Sequence, residues 1–308
     1  MSGAVSLRFN TQAQTDIQRM MRQLTDLQRQ VASGAKSNDL AGFGGGASRL
    51  LNAQSLRASA DAHASSANQL VARFGVQAQA LDQVATATQG MAKAIRDAIS
   101  SDDGRAVAVE MNLNFSSIVS ALNETWNGQP LFAGQRTDNS GPVKISSLNE
   151  LLAATGPDDI YDESEQPQTF TLSGGAVVQL ADKASTLSQD LFNVFRSLKT
   201  LVDGAGGQLG APMTGAERDQ LQAIAVQLEG AADTFVNAEG RAGQLEKRFT
   251  AEFTRLQDRS NLLLREIGDQ ADADLAQVSI EISTLLAQYE AAAKTFTDIS
   301  KLSLLNYL

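Results

Sequence analysis

All five prolines of this chain, Pro130, Pro142, Pro157, Pro167 and Pro212, fall in one central stretch. Proline removes a helical hydrogen-bond donor, and its ring clashes with the preceding turn. The two proline-free flanks, residues 1–129 and 213–308, are therefore open to long uninterrupted helices. Their periodicity takes up that option. Ile17, Met20, Leu24, Leu27 and Val31 step by 3, 4, 3 and 4, the narrow apolar seam of a coiled coil. This helix is expected to stop at Ser33-Gly34, where glycine can take the left-handed conformation that ends a helix.

A second helix follows, with Leu70, Phe74, Leu81, Val84, Thr88, Met91, Ile95 and Ala98 on one face. Residues 100–104 break it, and Asp102 or Asp103 is the expected cap of a third helix. That third helix carries Val109, Leu113, Ile118 and Leu122 and ends near Asn127-Gly128-Gln129-Pro130. At the other end of the chain, residues 216–267 read as one helix. Leu228, Phe235, Ala238, Ala242, Leu245, Phe249, Leu256, Leu263 and Ile267 lie near its apolar face. Gly268-Asp269 marks a joint. A final seam then runs through Leu275, Val278, Ile282, Leu285, Tyr289, Ala292, Phe296 and Ile299.

The middle differs in character. Residues 138–165 hold seven carboxylates against one lysine and read as a solvated acidic loop. Residues 168–180 alternate around Gly174-Gly175, a β-hairpin signal. A helix is expected over 183–202 with Leu187, Leu191, Phe195 and Leu198 inward, followed by a flexible glycine-rich connector. The fold class is mainly α: a long antiparallel helical coiled-coil rod formed by the N- and C-terminal segments, with a small loop and β-hairpin insert. Four parts are expected. Residues 1–33 and 269–308 form a terminal coiled-coil assembly domain, and 34–46 a glycine-rich connector. Residues 47–130 and 183–268 form a helical rod domain, and 131–182 a small acidic insert.

Two features of the ends bear on function. Residues 1–33 carry four arginines against two aspartates, whereas 269–308 carry six carboxylates against two lysines. The ends can therefore pair antiparallel with mild charge complementarity. Each seam is also narrow, so a two-helix hairpin leaves apolar surface uncovered, and copies of the same chain are the simplest cover. The formal charge of −10 speaks against a nucleic-acid binder, which needs a basic face. No run of about 18 apolar residues exists to span a bilayer, so no membrane insertion is expected. The N-terminus lacks the apolar core of a cleaved secretory signal.

Candidate sites for chemistry are few. Gly42-Phe43-Gly44-Gly45-Gly46-Ala47 fits the glycine pattern of a dinucleotide-binding turn. That turn requires a preceding β-strand and a βαβ unit, and the flanks here read as helices. The glycines Gly34, Gly42, Gly44, Gly45 and Gly46 are expected to act as a connector hinge. His63 is the single histidine, and the chain has no cysteine, so no common zinc site can form. Asp158, Asp159, Asp162, Glu163 and Glu165 lack the alternating spacing and central glycine of a calcium loop. Trp126 is expected to pack at a helix end. No nucleophile, base and oxyanion site assemble; the expectation is no enzyme, no catalytic or metal residues and no cofactor.

Both ends resemble the bacterial flagellin superfamily. At the N-terminal end, the resemblance rests on residues 24–50: a helix, a Ser-Gly terminator and an acidic-Ala-Gly connector. The C-terminal match, residues 241–308, has a long helix, the acidic joint of 269–277, a heptad helix and an aliphatic tail. Within that superfamily the helix-end segment Gly128 to Asn139 and the tail Lys301 to Leu308 are most similar to the hook-associated proteins of the hook–filament junction. The usual acidic pair before Ala-Gly is replaced by Asn38-Asp39-Leu40. The resemblance implies a structural subunit exported by the flagellar type III system. It also implies terminal helices that become ordered on assembly, and an extracellular place at the hook–filament junction. The partners it implies are copies of itself, a neighbouring hook-associated protein, flagellin, and an export chaperone on the C-terminal region. The assembly interface is then Ile17, Met20, Leu24, Leu27 and Val31 against Val278, Ile282, Leu285, Tyr289, Phe296, Ile299 and Leu302. A filament flagellin is the nearest alternative, and a cytosolic coiled-coil scaffold a more remote one.

Overall fold

In the computed structural model the described residues are 2–305 apart from 38, 137, 139, 173 and 174; side chains are described within 11–298, residue 13 excepted. The chain is mainly α. Eight helices are described: α1 (Ser2–Ser33), α2 (Ala47–Ser101), α3 (Val107–Leu122), α4 (Leu148–Ala153), α5 (Pro157–Ile160), α6 (Ala184–Gly204), α7 (Gly215–Ala271) and α8 (Leu275–Leu305). Two antiparallel two-stranded hairpins complete it: β1 (Thr125–Trp126) with β2 (Gln129–Pro130), and β3 (Thr169–Thr171) with β4 (Val177–Gln179). The contacts divide the chain into two compact units, residues 63–255 and residues 1–62 with 256–308.

The unit of residues 63–255 has a continuous apolar core. The expected face of α2 is buried throughout, from Leu70 to Ala98. On α3 the expected face is only half right. Val109 and Leu113 are 61% and 62% exposed, while Val107, Met111, Phe115, Ile118 and Leu122 are buried. The true seam starts two residues earlier, and Val109 and Leu113 sit off it. The Phe115 ring centroid lies 5.6 Å from those of both Phe192 and Phe195, and Tyr161 stacks on Phe192 at 5.9 Å. A second cluster joins Phe74, Phe249, Val178 and Leu180, fixing the β3/β4 hairpin to the same unit.

The middle of the chain is not a solvated appendage. Leu131, Phe132, Val143, Ile145, Leu148, Leu151, Ile160 and Tyr161 belong to the main core. The carboxylates between them serve as local staples. Asp159 accepts from the backbone N–H of Thr155 at 2.8 Å and of Gly156 at 3.3 Å, closing the start of α5. Glu163 accepts from the Ser185 N–H at 3.0 Å, and Asp162 pairs with Arg136. Tyr161 reaches Ser188 Oγ at 2.9 Å, and burial pushes its phenol above the ordinary range. Arg73, 6% exposed, donates to Gln168 Oε1 at 2.5 Å and the Leu131 carbonyl at 3.4 Å. Burial lowers its pKa to about 10.

Several local expectations fail for identifiable reasons. Trp126 lies not at a helix end but in β1, and Asn127-Gly128, both at positive φ, form the hairpin turn. Neither Asp102 nor Asp103 caps α3; Asp103 accepts from Arg105 N–H, and Asp102 from Met213 N–H. The stretch after α6 is anchored rather than loose, with Leu209 and Met213 buried and the Gly104 N–H bonded to the Gly210 carbonyl. A Cβ on Gly104 would lie 2.5 Å from that of Leu209. Thr214 and Glu217 then start α7 with reciprocal bonds, the Thr214 N–H to Glu217 Oε2 at 2.6 Å and the Glu217 N–H to Thr214 Oγ1 at 3.2 Å.

Candidate functional site

The other unit contains the two ends of the chain. Here α1 and α8 pack closely and run antiparallel, since Ala35, just beyond α1, bridges Asp272, just before α8. Burial of the predicted seam residues is uneven. Val278 and Leu285 are buried, and Ile17, Met20, Leu24, Leu27, Ile282, Tyr289 and Phe296 are half-buried. Val31 is 43% exposed. The side chains of Ile299 and Leu302 lie outside the described residues. On α8, Val278 and Leu285 are more deeply buried than Tyr289 and Phe296.

Among the described residues, the ion pairs on α1 form within that helix. Arg19 bonds Asp16 and Arg29 bonds Asp26, each at 3.2 Å within α1 itself. Three or four residues along a helix is the nearest distance at which opposite charges meet. Such exposed pairs contribute little to stability.

Among the described residues, this unit also carries large apolar side chains that are exposed. Leu275, expected at the head of the α8 seam, is 47% exposed, and beyond the seam Met21, Leu51, Leu56, Leu262, Leu264, Ile280 and Leu286 are exposed, Ile280 by 63%. On the same stretches of α2 and α7, Leu50, Ala53 and Ala60, and Leu256 and Leu263, are buried. These helix ends thus carry one satisfied apolar stripe and one free one. Between α1 and α8 an open groove of about 440 Å³ is lined by Gln23, Leu27, Ile280, Leu285 and Gln288, among others. Sequence reasoning picked the narrow seams and missed Leu51, Leu56, Leu262 and Leu264; Leu262 and Leu264 flank the seam position Leu263.

The glycine stretch forms a 3-10 turn over Ala41–Gly46 between α1 and α2, not a strand-to-helix phosphate turn. The described strands pair only in antiparallel hairpins, so the βαβ context is missing. The five hinge glycines are not equivalent. Gly34 has φ +70°, and its N–H bonds the Gln30 carbonyl at 2.8 Å, the left-handed helix stop expected there. Gly42 is required by close approach, because a Cβ would sit 2.1 Å from Ser37 Oγ. Its N–H also donates to Asp39 Oδ1 at 2.8 Å. Gly44 (φ +51°, ψ −128°) supplies the one kink inside the turn. Gly45 and Gly46 have open space where a Cβ would point.

On the other strand, α7 ends at Ala271 and α8 starts at Leu275. Asp274 caps α8, accepting from the N–H groups of Ala276 and Gln277 at 3.1 Å each. Among the described residues no group of His, Asp and Glu suits a metal ion, and no helix is long and apolar enough to cross a membrane.

No protein-family model matches the chain, and no curated protein does. Solved structures do share its fold. One, assigned as a flagellar hook-associated protein of Vibrio parahaemolyticus, aligns with a TM-score of 0.58 at 14% identity. It covers 76% of this chain and 99% of its own. Another, FlgL of Bacillus cereus, aligns with a TM-score of 0.52 at 14% identity, covering 70% of this chain and 96% of its own.

Proposed function

We propose that the chain is a structural subunit of the bacterial flagellum that acts as an adapter at the hook–filament junction. In this reading it is exported by the flagellar type III system and assembles through its terminal helices with copies of itself and with neighbouring flagellar subunits. It performs no catalysis. The observation that carries the reading is the state of the apolar side chains around α1 and α8. The predicted seam is only half-buried by the pair, and a second set of leucines and isoleucines beside it is uncovered. A narrow two-helix pair buries too little surface to offset the entropy of ordering it. Neighbouring copies that cover Leu51, Leu56, Leu262, Leu264 and Ile280 supply the missing burial. The fold shared with two flagellar structures supports the flagellar setting for that assembly.

The test is immuno-electron microscopy of motile cells with antibody against residues 131–182. Label confined to the point where hook meets filament is expected. Label along the whole filament would replace the adapter with a filament subunit, and label absent from the flagellum would sink the reading.

A further inference from the structure

The chain changes direction twice in the unit that holds its ends: once after α1 and once between α7 and α8. The two breaks lie side by side. The Lys36 N–H donates to the Ala271 carbonyl at 2.7 Å, and the Ala273 N–H donates to the Gly34 carbonyl at 2.8 Å. These bonds flank the Ala35–Asp272 bridge as in the narrow, non-hydrogen-bonded pair of an antiparallel ladder. Lys36 adds a second layer: its ammonium donates to the carbonyls of Asp269 at 2.8 Å and Gln270 at 3.2 Å. The Gly268 carbonyl is taken by the Asp272 N–H at 2.8 Å.

A helix leaves its last four carbonyls without intrahelical partners. In α7 these are Gly268, Asp269, Gln270 and Ala271, and all four are satisfied, three of them by Lys36 alone. One residue from the opposite strand therefore ends α7. Its positive charge also faces the negative end of the helix dipole. Gly34 makes this possible by ending α1 in the left-handed conformation, which turns the following residues onto α7.

We infer that Lys36 and the Ala35–Asp272 bridge form a register lock. The two chain breaks are one closed joint rather than two independent linkers. The joint sets the alignment of α1 against α8, and pairing of the two helices grows outward from it. Lys36 is a positioning residue: it acts on α1 and α8 through the end of α7. The lock is a property of the chain itself and stands or falls independently of the flagellar reading.

The chain has no cysteine, so introduced pairs report cleanly. Opposed residues in a narrow pair have Cα atoms about 4.5 Å apart, within the range a disulfide spans. In the purified full-length chain, Ala35→Cys with Asp272→Cys is expected to close under mild oxidation at least tenfold faster than the offset pair Ala35→Cys with Gln270→Cys. Adding Lys36→Met is expected to cut that preference severalfold, and Lys36→Arg to restore it. Equal closure of the two pairs would overturn the lock. A preference untouched by Lys36→Met would overturn the role of Lys36. Because the readout is intramolecular cross-linking, neither result depends on where the chain assembles.

Discussion

The two units of the chain use the same residue types to opposite ends. Among the described residues, the twelve largest fully buried side chains, from Phe74 to Phe249, all lie in residues 63–255. Among the described residues, ten of the fifteen exposed large apolar side chains belong to the unit holding the chain ends, although it is the smaller of the two. One unit closes its core with interleaved aromatic rings. The other has no such ring cluster among its described residues and displays its aliphatics. The first encloses its large apolar side chains, and the second leaves much of its own apolar surface exposed.

The comparison breaks most visibly under truncation. Removing residues 275–308 is expected to abolish assembly, scored by sedimentation or incorporation into flagella, while the main thermal transition of residues 63–255 stays in place. Loss of that transition would mean that the core unit leans on the ends. Next in size is Phe115→Ala, which empties a site packed against Phe192 and Phe195 and should cost about 3–5 kcal/mol in denaturant unfolding. Leu24→Ala, in the half-buried seam, is expected to cost the isolated chain less than about 1 kcal/mol, a fraction of full burial of a leucine. It should nevertheless impair assembly strongly. A cost to the isolated chain equal to that of Phe115→Ala would erase the contrast.

Smaller effects sharpen the picture of the core unit. Thr214→Ala removes one arm of the cap on α7 and should cost roughly 0.5–2 kcal/mol. Acid acts on the same type of contact. Backbone N–H donors, from Ser146 to Glu150, Thr155 to Asp159 and Thr214 to Glu217, hold these carboxyls below their ordinary values. A depressed folded pKa adds stability that is present above the unfolded value, about 4, and is lost as pH falls through the folded one. The unfolding midpoint of residues 63–255 should therefore be flat above about pH 5 and fall below about pH 4. Asp159→Asn should make that fall shallower.

How much of this was legible in sequence follows from which signals are local. The long helices were, because proline confinement and a sustained 3-4 spacing describe a helix whatever it packs against. Gly34 as a helix stop and the β3/β4 hairpin were legible for the same reason. Acidic composition misled over 138–165, where the charges hid Val143, Ile145, Leu148 and Leu151, which are core residues. On α3 the spacing admits two apolar stripes, and only the rings of Phe192 and Phe195 decide that Met111 and Phe115 face inward. Asn127-Gly128 is a plain turn signal taken as a helix end, and Thr214-x-x-Glu217 a plain cap signal taken as connector. Lys36 carried no sequence signal, since its partners lie 233 and 234 residues away.

Hydrogen exchange compared between the soluble and the assembled full-length chain tests the central contrast most directly. Peptides from α3 and α6 should be protected in both states. Peptides from 11–25 and 286–298, far from the joint, should exchange near the open-chain rate in the soluble form and become protected on assembly. Protection of those terminal peptides in the soluble chain equal to that of α6 would contradict the account, because the terminal helices would then need no partner.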